Sequence, residues 1–484
     1  MKQVVIVGAG LGGLTAGALL AKEGYRVTIL EQHTIVGGCA TTFRRKGGYT
    51  CEVGLHEMDD AFGGAKKEIF ESLGVYENIE FVQPDTFYHI VTDEIDFTMP
   101  HDKQKAIVDL IATFPDEAEA IIRYFALLES ISREFVRVST ASWWEYMLFP
   151  FVFKHILRYR IASTKTIMDR FFQDEKLKLI LNTNVSYYSD KVENLSFLLH
   201  ALAQHSYFSG GGWYIKGGSQ KLSDYLASII RQHDGEVITK ANVTQLEEHA
   251  VTYIRKKETI TIECDIIISN LSPTSTYEMA QIPYQEKLEP ASSLLTIYIG
   301  FKRNLKSIYG KKTYASFFFS DIKSIEDYDH MIDSDIADRA FGFTDYSQID
   351  SGLIEDPDKS FAVIFTTDFL SDWQDLSKDR YAQKKERVLE SFLEKLELEY
   401  PNIKEHIEFA EVGTAKTIQR YIKTPNGTAY GFAPTPKQFF RVPQVRSKKM
   451  KNLYFVGAWV MGGGFSPAII SGKLCYEQIK KLES

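Results

Sequence analysis

Cysteine is scarce in this chain. Its four cysteines, Cys39, Cys51, Cys264 and Cys475, lie far apart and form no Cys-x-x-Cys pair. Such spacing supports neither a disulfide framework nor a zinc site and suits a reducing compartment, so a cytoplasmic location is expected. Histidine pairs a single helical turn apart are missing too, and no metal is expected. The absence of a Gly-x-Ser-x-Gly elbow sets aside the hydrolases that use a serine nucleophile. No stretch approaches the ~20 apolar residues that span a bilayer. The first apolar run starts at Val4, so no signal peptide is expected ahead of it. A net charge of −8 lacks the basic excess of a nucleic-acid binder and leaves small molecules and lipids as partners. Hydrophobic content of 44% and charged content of 25% are those of a soluble globular protein, and 484 residues exceed one ordinary core. Two closely connected domains are expected.

Glycine, in contrast, stands where a phosphate-binding turn needs it. The apolar run Val4-Val5-Ile6-Val7 leads into Gly8-Ala9-Gly10-Leu11-Gly12-Gly13, and an amphipathic helix is expected through Glu23. A second strand over residues 25–30 ends at Glu31, eighteen residues beyond Gly13. Strand, turn, helix and distal acid together make a dinucleotide-binding unit. Gly8 allows the tight turn, Gly10 lets the backbone approach a pyrophosphate, and Gly13 lets the helix lie close on its strand. The free amides of the first helical turn then face the phosphates. Glu31 accepts hydrogen bonds from the adenosine ribose, and its charge disfavours the extra phosphate of NADP.

Further along, residues 62–73 read as a helix and residues 87–99 as a hairpin. Helices are expected over residues 103–113 and 116–138. Residues 143–160 are unusually apolar and aromatic, from Trp143 through Phe153, and close on Lys154, His155, Arg158 and Arg160. Aromatic bulk beside a basic flank is what an interfacial membrane anchor needs, and a buried helix pair walling a cavity accounts for it equally well. Both suit an apolar substrate. The chain then returns to the nucleotide unit: Gly210 to Gly218 precedes a helix over 220–233 and a strand over 236–239. Val243 is expected in a loop, followed by a hairpin over 251–262 and a buried strand over 265–270. Residues 294–301, 314–319 and 361–367 read as strands of a separate sheet, with a charged helix over 380–397 beside it. Near the end, Asn452 to Ala458 forms a strand and Gly462-Gly463-Gly464-Phe465-Ser466-Pro467 opens a last helix.

A nicotinamide dehydrogenase needs one glycine-rich turn, whereas this chain adds two more. One is Val36-Gly37-Gly38-Cys39-Ala40-Thr41-Thr42, continuing through Gly48-Tyr49-Thr50-Cys51-Glu52-Val53-Gly54-Leu55-His56, and the other is the C-terminal strand-glycine-helix unit. These segments resemble the phytoene desaturase, carotenoid isomerase and retinol saturase family of FAD oxidoreductases. Glu31-Gln32-His33-Thr34 with Gly37-Gly38-Cys39 is most similar to retinol saturase, and Gly48-Tyr49-Thr50 with Val53-Gly54 looks equally like carotenoid isomerase. Lys216-Gly217-Gly218-Ser219, Ser269-Asn270, Thr424-Pro425-Asn426-Gly427, Tyr430-Gly431, and Asn452-Leu453-Tyr454 with Gly457 extend the resemblance nearly end to end.

The resemblance implies an α/β fold: a Rossmann-like FAD-binding domain of the GR2 flavoprotein type with an inserted α+β substrate domain. The FAD-binding domain would be discontinuous, from residues 1–60, 213–275 and 440–484, and the substrate domain would take 61–212 and 276–439. Gly8, Gly10, Leu11, Gly12 and Gly13 would hold the pyrophosphate, and Glu31 with Gln32 the adenosine ribose. Gly37, Gly38, Cys39, Ala40 and Thr41 would pass beside the cofactor, and Val243 would meet the adenine side through its backbone. Gly457, Gly464, Phe465, Ser466 and Pro467 would face the flavin end. The chain departs from the pattern at Cys39, where many relatives have Arg, at Glu52, where they have Asp, and at Ala458, where some have an acid.

Flavin supplies hydride transfer, while protein groups supply orientation and a proton. His56, Glu57 and His205, with Tyr207 and Tyr214, are the candidate acid-base groups. The implied activity is desaturation or saturation of carbon-carbon bonds in a long isoprenoid, carotenoid or retinoid-like substrate, with the direction and the electron partner open. Redox-neutral cis-trans isomerisation, amine oxidation, and a lipid-binding scaffold that merely retains FAD are the competing readings.

Overall fold

The computed structural model describes residues 2–483; residues 1 and 484, the outer ends of the expected nucleotide-binding segments, lie outside the described residues. Three distant parts of the chain build one parallel sheet. Its five strands run in the order Glu236–Thr239, Arg26–Glu31, Gln3–Val7, Ile266–Ser269 and Leu453–Phe455. Both faces of this sheet are covered, so its strands read as continuous apolar runs: Val4 to Ile6 and Ile267 to Ile268 are fully buried. The register pairs Val5 with Thr28 on one side and with Ile267 on the other.

On one face the helix Leu11–Lys22 packs between Gln220–Gln232 and Phe465–Glu483. The expected amphipathic helix is instead buried on every side from Leu11 to Ala21, because neighbouring helices enclose the side that a two-layer arrangement would leave wet. Small residues permit that approach. A Cβ on Gly472 of the last helix would stand 2.8 Å from the Gly12 carbonyl oxygen. The opposite face carries a three-stranded antiparallel sheet, Asn242–Glu247, Ala250–Arg255 and Glu258–Glu263. Its Leu246, Val251 and Tyr253 bury against Val5, Val7 and Ile267. Val243 lies within the first of these strands and not in a loop, at a register shift between Val243 and Gln245. Backbone bonds from Lys240 to the His33 carbonyl and from Ala241 to the Glu31 carbonyl pin its start, which extends the chain where the sequence alone read a connection.

A seven-stranded mixed sheet forms the second body, in the order Ile407–Gly413, Ser293–Phe301, Ser360–Asp368, Phe341–Asp345, Ala315–Phe318, Tyr88–Val91 and Asp96–Met99. The three stretches read as a separate sheet share it with the early hairpin. Side chains alternate across it. Leu295, Ile297 and Ile299 meet the helix Lys378–Glu399 through Val388, Phe392 and Leu396, and Phe317 and Phe365 turn toward a helical layer that includes Ala118–Thr140 and Phe197–Gly210.

Residues 143–160 form three short helices, Trp143–Met147, Phe149–Val152 and Lys154–Tyr159. One side of the segment is locked down: Phe153, Ile156 and Tyr159 are buried, and the ring of His155 meets Glu134 at 2.6 Å. Glu145 caps Ser142 and pairs with Arg137 at 2.6 Å. The other side exposes Trp143, Met147 and Phe151, each more than 70% exposed. The segment is therefore neither wholly a cavity wall nor a loose anchor; it is a fixed platform with an apolar outer face.

Candidate functional site

The strand Gln3–Val7 ends in the Gly8 turn, whose φ of +94° lies in the left-handed region that glycine tolerates. The helix beginning at Leu11 has no side-chain cap. Its first-turn amides therefore remain available to an anion. The three glycine segments meet here. Gly37 donates its amide to the Ala9 carbonyl at 2.8 Å and bridges Gly10. A Cβ on Gly12 would come within 2.6 Å of the Gly457 nitrogen. One on Gly457 would come within 2.2 Å of Asn270 Oδ1, and one on Gly10 within 2.4 Å of Asn270 Nδ2. The result is a cradle of bare backbone around one amide side chain.

Glu31, buried at the end of its strand, accepts the Ala9 amide on Oε2 and the His33 amide on Oε1, both at 2.8 Å. Each oxygen keeps a lone pair for a ligand hydroxyl. Gln32 donates to the Tyr421 carbonyl at 3.2 Å, and the neighbouring His33 ring stacks on Tyr421. Val243 follows two residues after the Ala241 amide that binds the Glu31 carbonyl. Ala40 is buried, its carbonyl accepting from Ser223 Oγ, and Thr41 Oγ1 donates to Gln220. Burial pushes the Cys39 thiol up to about 11, so it packs as a thiol and is no nucleophile at neutral pH. At the other end, Gly464 has φ +106°, Phe465 and Pro467 lie in the first turn of the last helix, and Ser466 Oγ accepts from Lys66 at 2.6 Å and donates to Asp59.

Residues absent from the sequence-based candidates complete the frame. Asn270 fills the space between Gly10 and Gly457; the Ser269-Asn270 pair ending a buried strand was its one signal. Glu52 clamps the Gly54 turn to the Gly218 turn, accepting Ser219 N at 2.8 Å, Ser219 Oγ at 2.6 Å and Tyr214 OH at 3.1 Å. Burial raises its pKa against those bonds.

The structure brings His56, Glu57, Tyr207 and Tyr214 to the junction of the two bodies and places His205 elsewhere. His56 stacks on Phe365 with ring centroids 4.3 Å apart, and burial holds it neutral, down to about 3. The Tyr207 hydroxyl donates to the Glu57 carbonyl at 3.4 Å. His205 lies on the other flank of its helix, bonded to Ser209, with Lys103, Glu129 and Arg133 around it. His101 and Tyr187 join Glu57, and no local signal could have found them, since the chain separates them by dozens of residues.

Burial raises the Glu57 carboxyl well above its ordinary 4.5. His101, Tyr187, Tyr207 and Tyr314 are the titratable groups facing it. The folded chain thus keeps a proton that the unfolded chain releases near pH 4.5, so stability falls as pH rises from there through the raised value. Glu57→Gln removes this titration. Its Tm should gain steadily on the wild type between about pH 5 and pH 8 in thermal melts, and a constant difference would contradict a protonated Glu57.

Among the described residues no group of three or more His, Cys, Asp or Glu side chains could hold a metal ion. No helix among them is long and apolar enough to cross a membrane.

Residues 6–72 match the model of the NAD(P)-binding Rossmann-like domain. The all-trans-retinol 13,14-reductase of Danio rerio is 26% identical to this chain, over 98% of it and 85% of that protein. Prolycopene isomerase 1 of an Oncidium hybrid cultivar is 25% identical over 99% of this chain and 83% of its own. Among solved structures, an oxidoreductase from Methanosarcina mazei has a TM-score of 0.64 at 17% identity, covering 98% of this chain and 100% of that one, a likeness of fold. With a Rossmann-like nucleotide cradle assembled from three parts of the chain, and relatives matched over nearly its whole length, the chain is similar to the retinol 13,14-reductases and prolycopene isomerases, as its resemblance to the phytoene desaturase, carotenoid isomerase and retinol saturase oxidoreductases implies.

Proposed function

We propose that this chain holds FAD along the cradle and saturates or desaturates carbon-carbon bonds of a long apolar polyene at the junction of its two bodies. The observation that carries the reading is the convergence of Gly10, Gly12, Gly37 and Gly457 beside an uncapped helix start and Glu31. A Cβ at Gly10, Gly12 or Gly457 would press on Asn270 or on the Gly457 backbone and spread the three glycine segments apart. Gly8 to Gly13 hold the pyrophosphate, Glu31 the ribose, Val243 the adenine side, and Gly464 to Pro467 the flavin end. Flavin, when bound, exchanges a hydride with a substrate carbon. The chain's own part is to orient the polyene and keep water out. His56, Tyr187, Phe317 and Phe365 form an aromatic wall suited to a flat conjugated chain.

The purified protein should be yellow, release FAD on denaturation and bleach with a chemical reductant. A colourless protein that cannot be reconstituted with FAD would end this assignment. Glu31→Ala removes one charge-assisted acceptor, so FAD affinity should fall about tenfold to a hundredfold while the chain still folds, as followed by fluorescence titration. Unchanged affinity would misplace the ribose contact.

Redox-neutral isomerisation is a second reading, favoured by the equally long match to a prolycopene isomerase. Product mass separates the two, because an isomer keeps the mass of its substrate. The apolar platform at residues 143–160, with Lys154, Arg158 and Arg160 beside it, supports contact with a membrane surface from which such a substrate is drawn.

A further inference from the structure

Buried polar atoms of three side chains stand together without a protein partner: both carboxylate oxygens of Glu57, Nε2 of His101 and the hydroxyl of Tyr187. Glu57 Oε1 lies 4.0 Å from His101 Nε2, too far for a hydrogen bond, and the Glu57 side chain is 0% exposed. Buried polar atoms are nearly always paired, so a cluster of unpaired ones calls for an explanation. We propose that Glu57 is the proton donor of a saturating reaction and that His101 is the residue that positions it and steadies the carboxylate it becomes. This rests on the polyene-oxidoreductase reading above.

Location supports the role. Glu57 sits between two parts of the cofactor cradle. Just before it, Gly54 lies against the Cys39 carbonyl, where an added Cβ would be 2.8 Å away. Two residues after it, Asp59 accepts from Ser466 at the start of the last helix. The tautomer of His101 supports it too. The Gly212 amide donates to His101 Nδ1 at 3.2 Å, which leaves the ring proton on Nε2, the nitrogen facing Glu57. Burial carries the imidazole down to about 4, against a smaller upward pull from Thr86, so the ring is a neutral donor and no competing acid. The same burial favours the neutral carboxyl at rest, a proton ready to give. Once that proton leaves, a small closure of the 4.0 Å gap pairs the new carboxylate with the Nε2 proton.

The step balances with two-electron-reduced flavin as the reductant. The π bond of a carbon-carbon double bond breaks, one carbon takes the hydride, and its neighbour takes the Glu57 proton. Two carbon-hydrogen bonds form, the flavin is left oxidised, and the Glu57 carboxylate recovers a proton from solvent.

The test gives reduced, FAD-loaded wild-type, Glu57→Gln and His101→Phe proteins all-trans-retinol and prolycopene in D2O, scoring product mass and flavin reoxidation. Wild type should yield a saturated product carrying solvent deuterium on both carbons, one from the Glu57 carboxyl and one from the exchangeable N–H of reduced flavin. Glu57→Gln should bind FAD with an unaltered spectrum yet lose about a hundredfold or more in kcat. His101→Phe should lower kcat with KM unchanged, a split that loss of packing alone would not produce. Saturation by Glu57→Gln at the wild-type rate overturns this inference and leaves the functional reading standing. Isomerisation without any saturated product also overturns it. No turnover of either polyene by wild type sinks the functional reading and this inference together.

Discussion

Gly12→Ala is expected to leave the protein without flavin. The added methyl carbon would stand 2.6 Å from the Gly457 nitrogen, 2.9 Å from its Cα and 3.0 Å from Asn270 Oδ1. Two of those atoms are backbone and cannot swing aside, and Gly457 is itself held at φ +86°, a conformation that resists adjustment. Overpacking of this kind costs about 1–3 kcal/mol, and here it also pushes apart the first helix and the last strand, between which the pyrophosphate is proposed to lie. Flavin per protein chain, measured by absorbance after gel filtration, should drop to background while circular dichroism still reports a folded α/β protein. Gly24→Ala is the control. Gly24 has φ +88°, but a Cβ there meets nothing within 4 Å. It should retain full flavin and lose roughly 1–2 kcal/mol of stability from backbone strain alone. Normal flavin content in Gly12→Ala would refute the cradle.

The second large effect belongs to the aromatic platform. Replacing Trp143, Met147 and Phe151 together by serine should abolish binding to anionic vesicles. These side chains are 75%, 73% and 79% exposed, so their loss removes little from the core. Burying such a side chain is worth about 1.5–3 kcal/mol, and three of them entering a bilayer interface even partly give a change on the order of a hundredfold or more in partition. Phe153, Ile156 and Tyr159 on the inner side remain, so the Tm should hardly move. Lys154, Arg158 and Arg160 add attraction to anionic lipid that salt screens, whereas the apolar share persists at high salt. Vesicle sedimentation of wild type and variant at low and high salt separates the two contributions. Equal sedimentation of both proteins would leave the platform without a membrane role.

Much of the nucleotide unit was legible because its signals are local. The Val4 to Gly13 strand and turn, the buried strand 266–269 and the Gly464 opening of the last helix each declare themselves within about ten residues through periodicity and glycine placement. Relationships between segments were less legible. Val243 read as a connection because its strand is short and only half buried. The first helix read as amphipathic because nothing in twelve residues announces that two other helices will enclose it. Residues 143–160 fitted both an anchor and a wall because composition does not state which side of a helix finds a neighbour.

By itself the sequence determined the chemistry of the parts: a glycine turn at Gly8 to Gly13, an acid at Glu31, two further glycine segments and an aromatic stretch. Steric freedom and side-chain charge belong to each residue wherever it folds. Only the tertiary structure decided which parts meet. It set Asn270 between Gly10 and Gly457, brought His101 and Tyr187 to Glu57, turned His205 away to a charged flank, and left Trp143 and Phe151 facing outward. Those outcomes depend on packing between elements far apart in the chain, where burial and missing partners, and not residue type, raise a carboxyl group's pKa.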